Sequence, residues 1–353
     1  MTTTPAASFT DDTLSRYSRQ MLFAPVGEAG QKRLKYSRVA LVGCGALGSV
    51  LANTLARSGV GYLRIIDRDF IELNNLQRQV LFDEHDLAQN LPKAEAAARK
   101  LRKINSAVEV DGVIADVRHD NAEALLTDVD LLLDGTDNFE TRFLVNDVAV
   151  KHGLPWVYGA VLGAEGVVMP VLPGETACLR CVWEEMPPPG TTPTCDTAGV
   201  LAPAVDVVAS LQAVEAMKIL MGRTAEVSRA LVSIDVWRGQ FRSLGMQAAF
   251  EQGVCVCCRR REFEFLAGKH ASASVSLCGR DAVQVTPAPG VRVNFQEIAA
   301  RVGGRARPTA NAFLLRFTID SFHVTLFADG RAIIKGTSDP AAARGVYAKY
   351  IGA

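Results

Sequence analysis

The stretch RVALVGCGALGSVLANTLARSGVGYLRIIDRD, residues 38–69, constrains the fold more than any other part of the chain. RVALV is a continuous apolar run of strand length, and Gly43, Gly45 and Gly48 mark a tight turn after it. SVLANTLARSG has the apolar spacing of a helix, and YLRIIDRD reads as the next strand. Two strands joined by a crossover helix are parallel neighbours, and a parallel sheet needs helices over its faces. The alternation continues with a helix in NLPKAEAAARKLRKIN, a strand in VEVDGVIAD, a helix around NAEALLTD and a strand in VDLLLDGTDN. It repeats once more with FETRFLVNDVAVKHG and WVYGAVLGAEGVVMPVL.

The fold class expected from residues 37–173 is therefore α/β, a Rossmann-like and mostly parallel open sheet. Short helices in TLSRYSRQMLFAPVGEAGQKRLKYS precede it. The pattern breaks at WEEMPPPGTTPTCDTAG, rich in proline and threonine, which reads as a long mobile loop over 182–200. VLAPAVDVVASLQAVEAMKILMG then reads as a buried helix stopped by Gly222, and RALVSIDVWRGQFRSLGM as one or two antiparallel strands that extend the sheet. From 271 onward, strand-like ASVSLCG, DAVQVTP, NAFLLRFTI, FHVTLFAD and AIIKG accompany helical VNFQEIAARVG and SDPAAARGVYAKYIG, which makes a small C-terminal α/β domain. The expected organisation is a disordered leader at 1–12, a main domain at 13–260, a linker at 261–270 and the small domain at 271–353.

Composition excludes several classes. Lysine plus arginine equals aspartate plus glutamate at 38 each, so no bulk field favours nucleic acid or an anionic membrane. MTTTPAASFTDD lacks a basic region followed by an apolar core and is not read as a signal peptide. No apolar run reaches membrane-spanning length. Eight cysteines without secretion argue for thiols and metal in a cytoplasmic protein rather than a disulfide framework.

The glycine turn permits close approach of a phosphate, and the helix after it offers amide hydrogens to anionic oxygens. Asp67, at the end of the following strand, is placed to accept hydrogen bonds from ribose hydroxyls. These residues mean a nucleotide without choosing between NAD and ATP, and a glycine turn that serves packing alone is the plain alternative. FIELNNLQRQVLF narrows the choice, because Asn74, Asn75, Gln77, Arg78 and Gln79 follow the nucleotide strand directly. A dehydrogenase has no need of such a cluster, whereas phosphoryl chemistry needs cations on the phosphates. Lys93 begins a helix just after Pro92, and Asp137 and Asn138 follow a strand at the carboxyl edge where open α/β sheets bind ligands. Asp137 suits Mg²⁺. Surface solubility is the plain alternative for Arg78 and Lys93.

These residues together resemble the ThiF/MoeB/HesA family, relatives of the adenylation domain of ubiquitin-activating enzymes. The resemblance runs through RYSRQ at 16–20, GCGALG, DRDFIELNNLQRQ, PKAEAA, DGTDN, CLRC, CDTAGVLAP, SLQAVEAMKIL and the last cysteine cluster, in that order. It implies ATP-dependent adenylation of the C-terminal Gly-Gly carboxylate of a small ubiquitin-like sulfur-carrier protein, with release of pyrophosphate. By matching motifs, Asp67 resembles the ribose ligand, Asn75, Arg78 and Lys93 the residues on the phosphates, and Asp137 the Mg²⁺-linked aspartate. Arg19 matches an arginine that in relatives reaches the partner subunit's site, which implies a homodimer. Thiamine and molybdopterin routes are both open, thiamine slightly ahead, and a sulfurtransferase is a further partner. An NAD-dependent oxidoreductase and a non-catalytic carrier-binding scaffold are the rival classes.

The cysteines divide by spacing. Cys178 with Cys181 and Cys255 with Cys258 form two CxxC pairs, four thiolates that suit tetrahedral Zn²⁺. Buried or redox-active thiols are the alternative. Cys257 stands next to Cys258 and is read as a bystander. Cys195, in the proline-rich loop, matches a cysteine that in relatives either forms an adduct with the carrier or is dispensable; a loop cysteine without covalent role is the plain reading. Cys44 and Cys278 are read as packed thiols. The C-terminal domain is not rhodanese-like, and carrier docking and dimer packing are both admitted for it.

Overall fold

The computed structural model describes residues 12–187, 195–270, 274–277, 281–287, 291–304 and 306–352. Cys278 and the expected leader, apart from Asp12, lie outside the described residues. Two compact units emerge, one running to Met186 and resuming from Val200 to Lys269, the other taking Pro187–Gly199 and His270 onward.

Helices α1 (Asp12–Ser15), α2 (Ser18–Met21) and α3 (Gly27–Tyr36) precede strand β1 (Arg38–Val42). Then come α4 (Ala46–Ser58), β2 (Tyr62–Ile66), α5 (Glu84–Ala88), α6 (Lys93–Ile104) and β3 (Glu109–Val113). Next are α7 (Ala122–Leu126), β4 (Leu131–Asp134), α8 (Phe139–His152), β5 (Trp156–Leu162) and β6 (Glu165–Val171). The chain continues through α9 (Leu179–Val182), α10 (Cys195–Ala198), α11 (Ala202–Leu220), β7 (Ala230–Asp235), β8 (Gln240–Gly245) and α12 (Gln247–Glu251). The sheet order is β3-β2-β1-β4-β5-β6-β7-β8. From β3 to β5 all neighbours are parallel; β6, β7 and β8 add antiparallel strands. The parallel run stops at β5 because Gly163, at φ 61°, turns the chain into a hairpin. The segment after residue 182, read as a loop, contains the single helical turn of α10.

β1 lies between β2 and β4, so the strand order reverses there, and open α/β sheets leave a crevice at that point. Val42 lies opposite both Ile66 and Asp134, so three strands end at one level and the three following loops share that crevice. Those central strands are buried almost throughout, which is why they read as unbroken apolar runs.

The loops meet through backbone alone. Gly43 has φ 86°, and a Cβ on Gly48 would stand 2.0 Å from its carbonyl oxygen. A Cβ on Gly135, after β4, would stand 2.4 Å from the same atom. Glycine at these positions thus lets α4, β1 and the loop after β4 pack without side chains between them.

In the second unit, β9 (Ser274–Leu277), β10 (Ala282–Val285), α13 (Phe295–Val302), β11 (Thr309–Ala310), β12 (Leu314–Ile319), β13 (Phe322–Phe327), β14 (Ala332–Lys335) and α14 (Pro340–Tyr350) follow in chain order. The strands form an antiparallel sheet in the order β11-β12-β13-β14-β10-β9. Val283, Leu315, Phe317, Val324, Leu326 and Ile334 alternate onto one face and share a core with Ile298, Val302, Val346 and Tyr347. No described helix is long and apolar enough to cross a membrane.

Gly48 tests the backbone contact by sign. Inside a helix, glycine to alanine ordinarily stabilises by about 1 kcal/mol. Here the new Cβ would collide with Gly43, so Gly48→Ala is expected to destabilise by about 1–3 kcal/mol. A urea titration reads the shift, and a variant as stable as wild type would show that the turn can relax away from α4.

Candidate active site and metal centre

Asp67 sits just beyond β2, nearly buried, and braces the glycine turn. One of its carboxylate oxygens accepts the Cys44 N–H at 2.6 Å, and the other accepts the Asp69 N–H at 2.7 Å. Burial pushes its pKa up, and the Lys93 ammonium opposes that shift. Gly45 caps α4, and a Cβ there would meet only Gln79 Nε2, at 3.9 Å. The amide end of α4 therefore faces open room rather than packed side chains. The Gln79 Oε1 nearby is buried with no hydrogen-bond partner among the described residues. The open helix start fits an anionic ligand, while the unsatisfied amide oxygen beside it is an acceptor left for a hydrogen-bond donor on that ligand. The Cys44 thiol is fully buried and raised by burial, as expected of a packed thiol.

Asn75 ends a short 3₁₀ turn, Leu73–Asn75. Its Oδ1 accepts the Glu72 N–H at 3.1 Å and its amide donates to Asn74 at 3.0 Å, so the buried side chain fixes the loop. Arg78, half-buried, donates one hydrogen bond to the Asn74 carbonyl at 2.8 Å and makes no ion pair among the described residues. Lys93 opens α6 after Pro92, as the sequence implied, and is almost fully buried. Its ammonium lies 3.4 Å from Asp69. A buried ammonium beside the Asp69 carboxylate, with Asp67 also acting on it, is fixed in place and not a solvated surface charge.

The loop after β4 is built around an ion pair that the sequence reading did not single out. Arg142, in the second turn of α8, places Nε 3.1 Å from Asp134, and both side chains are buried. Asp134 also accepts the Thr136 backbone N–H at 2.8 Å and its hydroxyl at 2.7 Å, while Arg142 donates to the Thr136 carbonyl at 2.8 Å. Burial raises the Asp134 pKa, with Arg142 opposing. Asn138 caps α8 by accepting the Thr141 N–H at 2.9 Å. Asp137, held between these anchors, is exposed, and no hydrogen bond or ion pair among the described residues engages it. The usable signal was an arginine directly ahead of the mostly apolar run FLVNDVAV.

The structure thus gathers Gly43, Gly45, Asp67, Asn75 and Arg78 on adjoining loops at the carboxyl edge, with Gly48 in the first turn of α4, Lys93 at the start of α6, and Asp137 and Asn138 on the neighbouring loop. Arg19 is not among them. It is exposed on α2, and no hydrogen bond or ion pair among the described residues ties it to the glycine turn. Cys195 opens α10.

The two CxxC pairs come together. The Sγ atoms of Cys178, Cys181, Cys255 and Cys258 all lie within 4.8 Å of one another, with close pairs at 3.9, 3.6 and 3.5 Å. A tetrahedral ion with bonds of about 2.3 Å to sulfur requires edges of about 3.8 Å. The four thiols therefore fit one such metal ion. Cys257 is outside this group and fully buried.

An open sheet with its crevice at the strand-order reversal and a glycine turn opposite an acidic brace defines a nucleotide-binding α/β protein, here one with a four-thiol centre beside the sheet. The chain belongs to the ThiF family, whose description matches residues 17–258. It is 43% identical over 338 residues to the Sulfur carrier protein ThiS adenylyltransferase of Bacillus subtilis (strain 168), covering 96% of this chain and 99% of that one. It is 39% identical over 252 residues to the Sulfur carrier protein adenylyltransferase of Thermus thermophilus, covering 70% and 92% respectively. Among solved structures, it resembles E. coli MccB with ATP at a TM-score of 0.58 and 25% identity, covering 65% of this chain and 71% of that one.

Breaking the buried pair leaves Asp134 without its cation. Arg142→Leu is expected to cost about 3–5 kcal/mol of unfolding free energy, and Arg142→Lys less, because the lysine keeps the charge but not the forked contacts. Chemical denaturation checks this; an unchanged midpoint for Arg142→Leu would mean that the loop after β4 is held by other contacts.

Proposed function

We propose that this chain adenylates the C-terminal Gly-Gly carboxylate of a small ubiquitin-like sulfur carrier with ATP. A carboxylate oxygen of the carrier attacks the α-phosphorus, the bond to the β-phosphate breaks, and pyrophosphate leaves with the electron pair. The observation that carries this reading is the 43% identity to a ThiS adenylyltransferase along nearly the whole of both chains. Family membership favours it over the nicotinamide-dependent alternative. A carrier of the ThiS kind, serving thiamine synthesis in the cytoplasm, is the first candidate; a molybdopterin carrier is the second.

In this reading Gly45, which faces open space, lets the phosphates approach the start of α4, while Gly43 and Gly48 hold the turn in place by backbone packing. Asp67 still has lone pairs for ribose hydroxyls beyond the two amides it accepts. Lys93 and Arg78 face the negative charge that develops around the α-phosphorus, and Asn75 holds the loop that presents Arg78. Asp137 would hold Mg²⁺, which would supply charge neutralisation at the phosphates, and Asn138 beside it would complete the nucleotide loop. Arg19 is proposed to act in the site of the partner subunit of a homodimer, which its exposed position on α2 permits. The four clustered thiols would hold Zn²⁺ as a structural ion with all positions filled by protein. Cys195 is proposed to act only after adenylation, in transfer of the acyl group or of sulfur from a sulfurtransferase.

Carrier-dependent exchange of labelled pyrophosphate into ATP separates these roles. Arg78→Ala and Asp137→Ala are expected to lose about a hundredfold or more of the exchange rate, whereas Cys195→Ala stays within about a fewfold, since a thiol offers nothing to charge on phosphorus. Failure to exchange with any Gly-Gly carrier would overturn the assignment. Loss of exchange in a folded Cys195→Ala protein would overturn the division between the cationic pocket and the thiol.

A further inference from the structure

The middle of α8 carries two fully buried polar residues that the proposed reaction does not use, Asn146 and Asp147. Asn146 Oδ1 accepts the backbone N–H of Leu179 at 2.9 Å, and its Nδ2 donates to Cys257 Sγ at 3.2 Å. Leu179 lies between Cys178 and Cys181, and Cys257 lies between Cys255 and Cys258. One amide therefore grips the interior of both cysteine pairs. Asp147 Oδ1 accepts the Cys257 thiol at 3.4 Å, and its Oδ2 accepts the N–H groups of Phe265 and Leu266 at 2.9 and 3.2 Å, which secures the chain leaving the second pair.

We propose that Asn146 and Asp147 are positioning residues of the metal centre, and that Cys257 is the handle by which they hold the second pair. The proposal rests on the metal-binding part of the proposed function. The pairs come from distant parts of the chain, so a tetrahedral ion must otherwise draw them together at the moment of binding. A side chain bonded to both fixes their separation beforehand, and groups that orient metal ligands from behind commonly change affinity by about 10–100-fold. Satisfying a lone buried N–H at Leu179 would require only half of the Asn146 amide. Its other half reaches the second pair, and that half distinguishes positioning from mere satisfaction of the backbone.

The test is metal release from the full chain into excess chromophoric chelator, with metal content and melting temperature measured alongside. Asn146→Leu is expected to release metal about tenfold faster or more. Cys257→Ala, which keeps all four ligands and disturbs packing less, should also release faster while still purifying with one ion per chain. Leu144→Ala serves as the control, because Leu144 is buried two residues earlier, on the opposite side of α8. It should lower the melting temperature without hastening release. Wild-type release rates in Asn146→Leu and Cys257→Ala would overturn the proposal, as would equal acceleration in Leu144→Ala. A wild-type chain that binds no metal would overturn the metal reading itself, and this one with it.

Discussion

The carbonyl oxygen of Gly43 is the atom on which the nucleotide crevice depends. Two neighbours approach it so closely, from Gly48 on α4 and Gly135 after β4, that a Cβ on either would overlap it. Backbone packed on backbone fixes the distance between the glycine turn and the loop after β4 without any side chain that could adopt another rotamer. Asp67 then locks the turn from the β2 side through the Cys44 amide. Sheet order alone puts a crevice between β1 and β4; these contacts make its two rims a single rigid piece.

From that piece, α8 runs toward the cysteines. Its residues Arg142 to Val150 are buried without a break, so it is enclosed on all faces and has little freedom to shift. The first turns hold the loop that presents Asp137, by the Asn138 cap and the Arg142–Asp134 pair. The middle holds both cysteine pairs through Asn146 and Asp147. A buried charge and two buried polar residues would each be costly alone, and each here has its partners in an element at one end or the other. The helix is thus a bar between two centres, and its polar residues mark the points of attachment.

Much of this was legible in the sequence, for reasons of range. The β1–turn–α4–β2 unit is written in contiguous periodicity and glycine spacing, and the CxxC spacing announced a thiol centre whose four members do converge. What escaped depends on residues far apart in the chain. Gly135 looked like one more loop residue because its reason is Gly43, across the sheet. Arg142, Asn146 and Asp147 sat in a helix whose amphipathic face cannot be read, since every face is covered. The turn of α10 at Cys195 is too short for periodicity to reveal in a stretch dominated by proline and threonine.

The three cations of the proposed reaction differ in how firmly the fold holds them. Lys93 is buried and set by Asp69; Arg78 is half-buried with one bond to a loop carbonyl; Arg19 is exposed and has no tie to the site among the described residues. Stabilising charge at phosphorus requires groups already oriented before charge develops, because reorientation during the reaction consumes the stabilisation. Lys93 meets that requirement within the isolated fold. Arg78 would meet it only when a phosphate replaces the water around its remaining N–H groups, and Arg19 only when a second subunit encloses it. The order of tethering is therefore an order of assembly in the proposed mechanism. Under that proposal nucleotide would be received by one chain, whereas the complete cationic pocket would need nucleotide and a second chain together, and catalytic competence would follow dimer formation more closely than nucleotide affinity does.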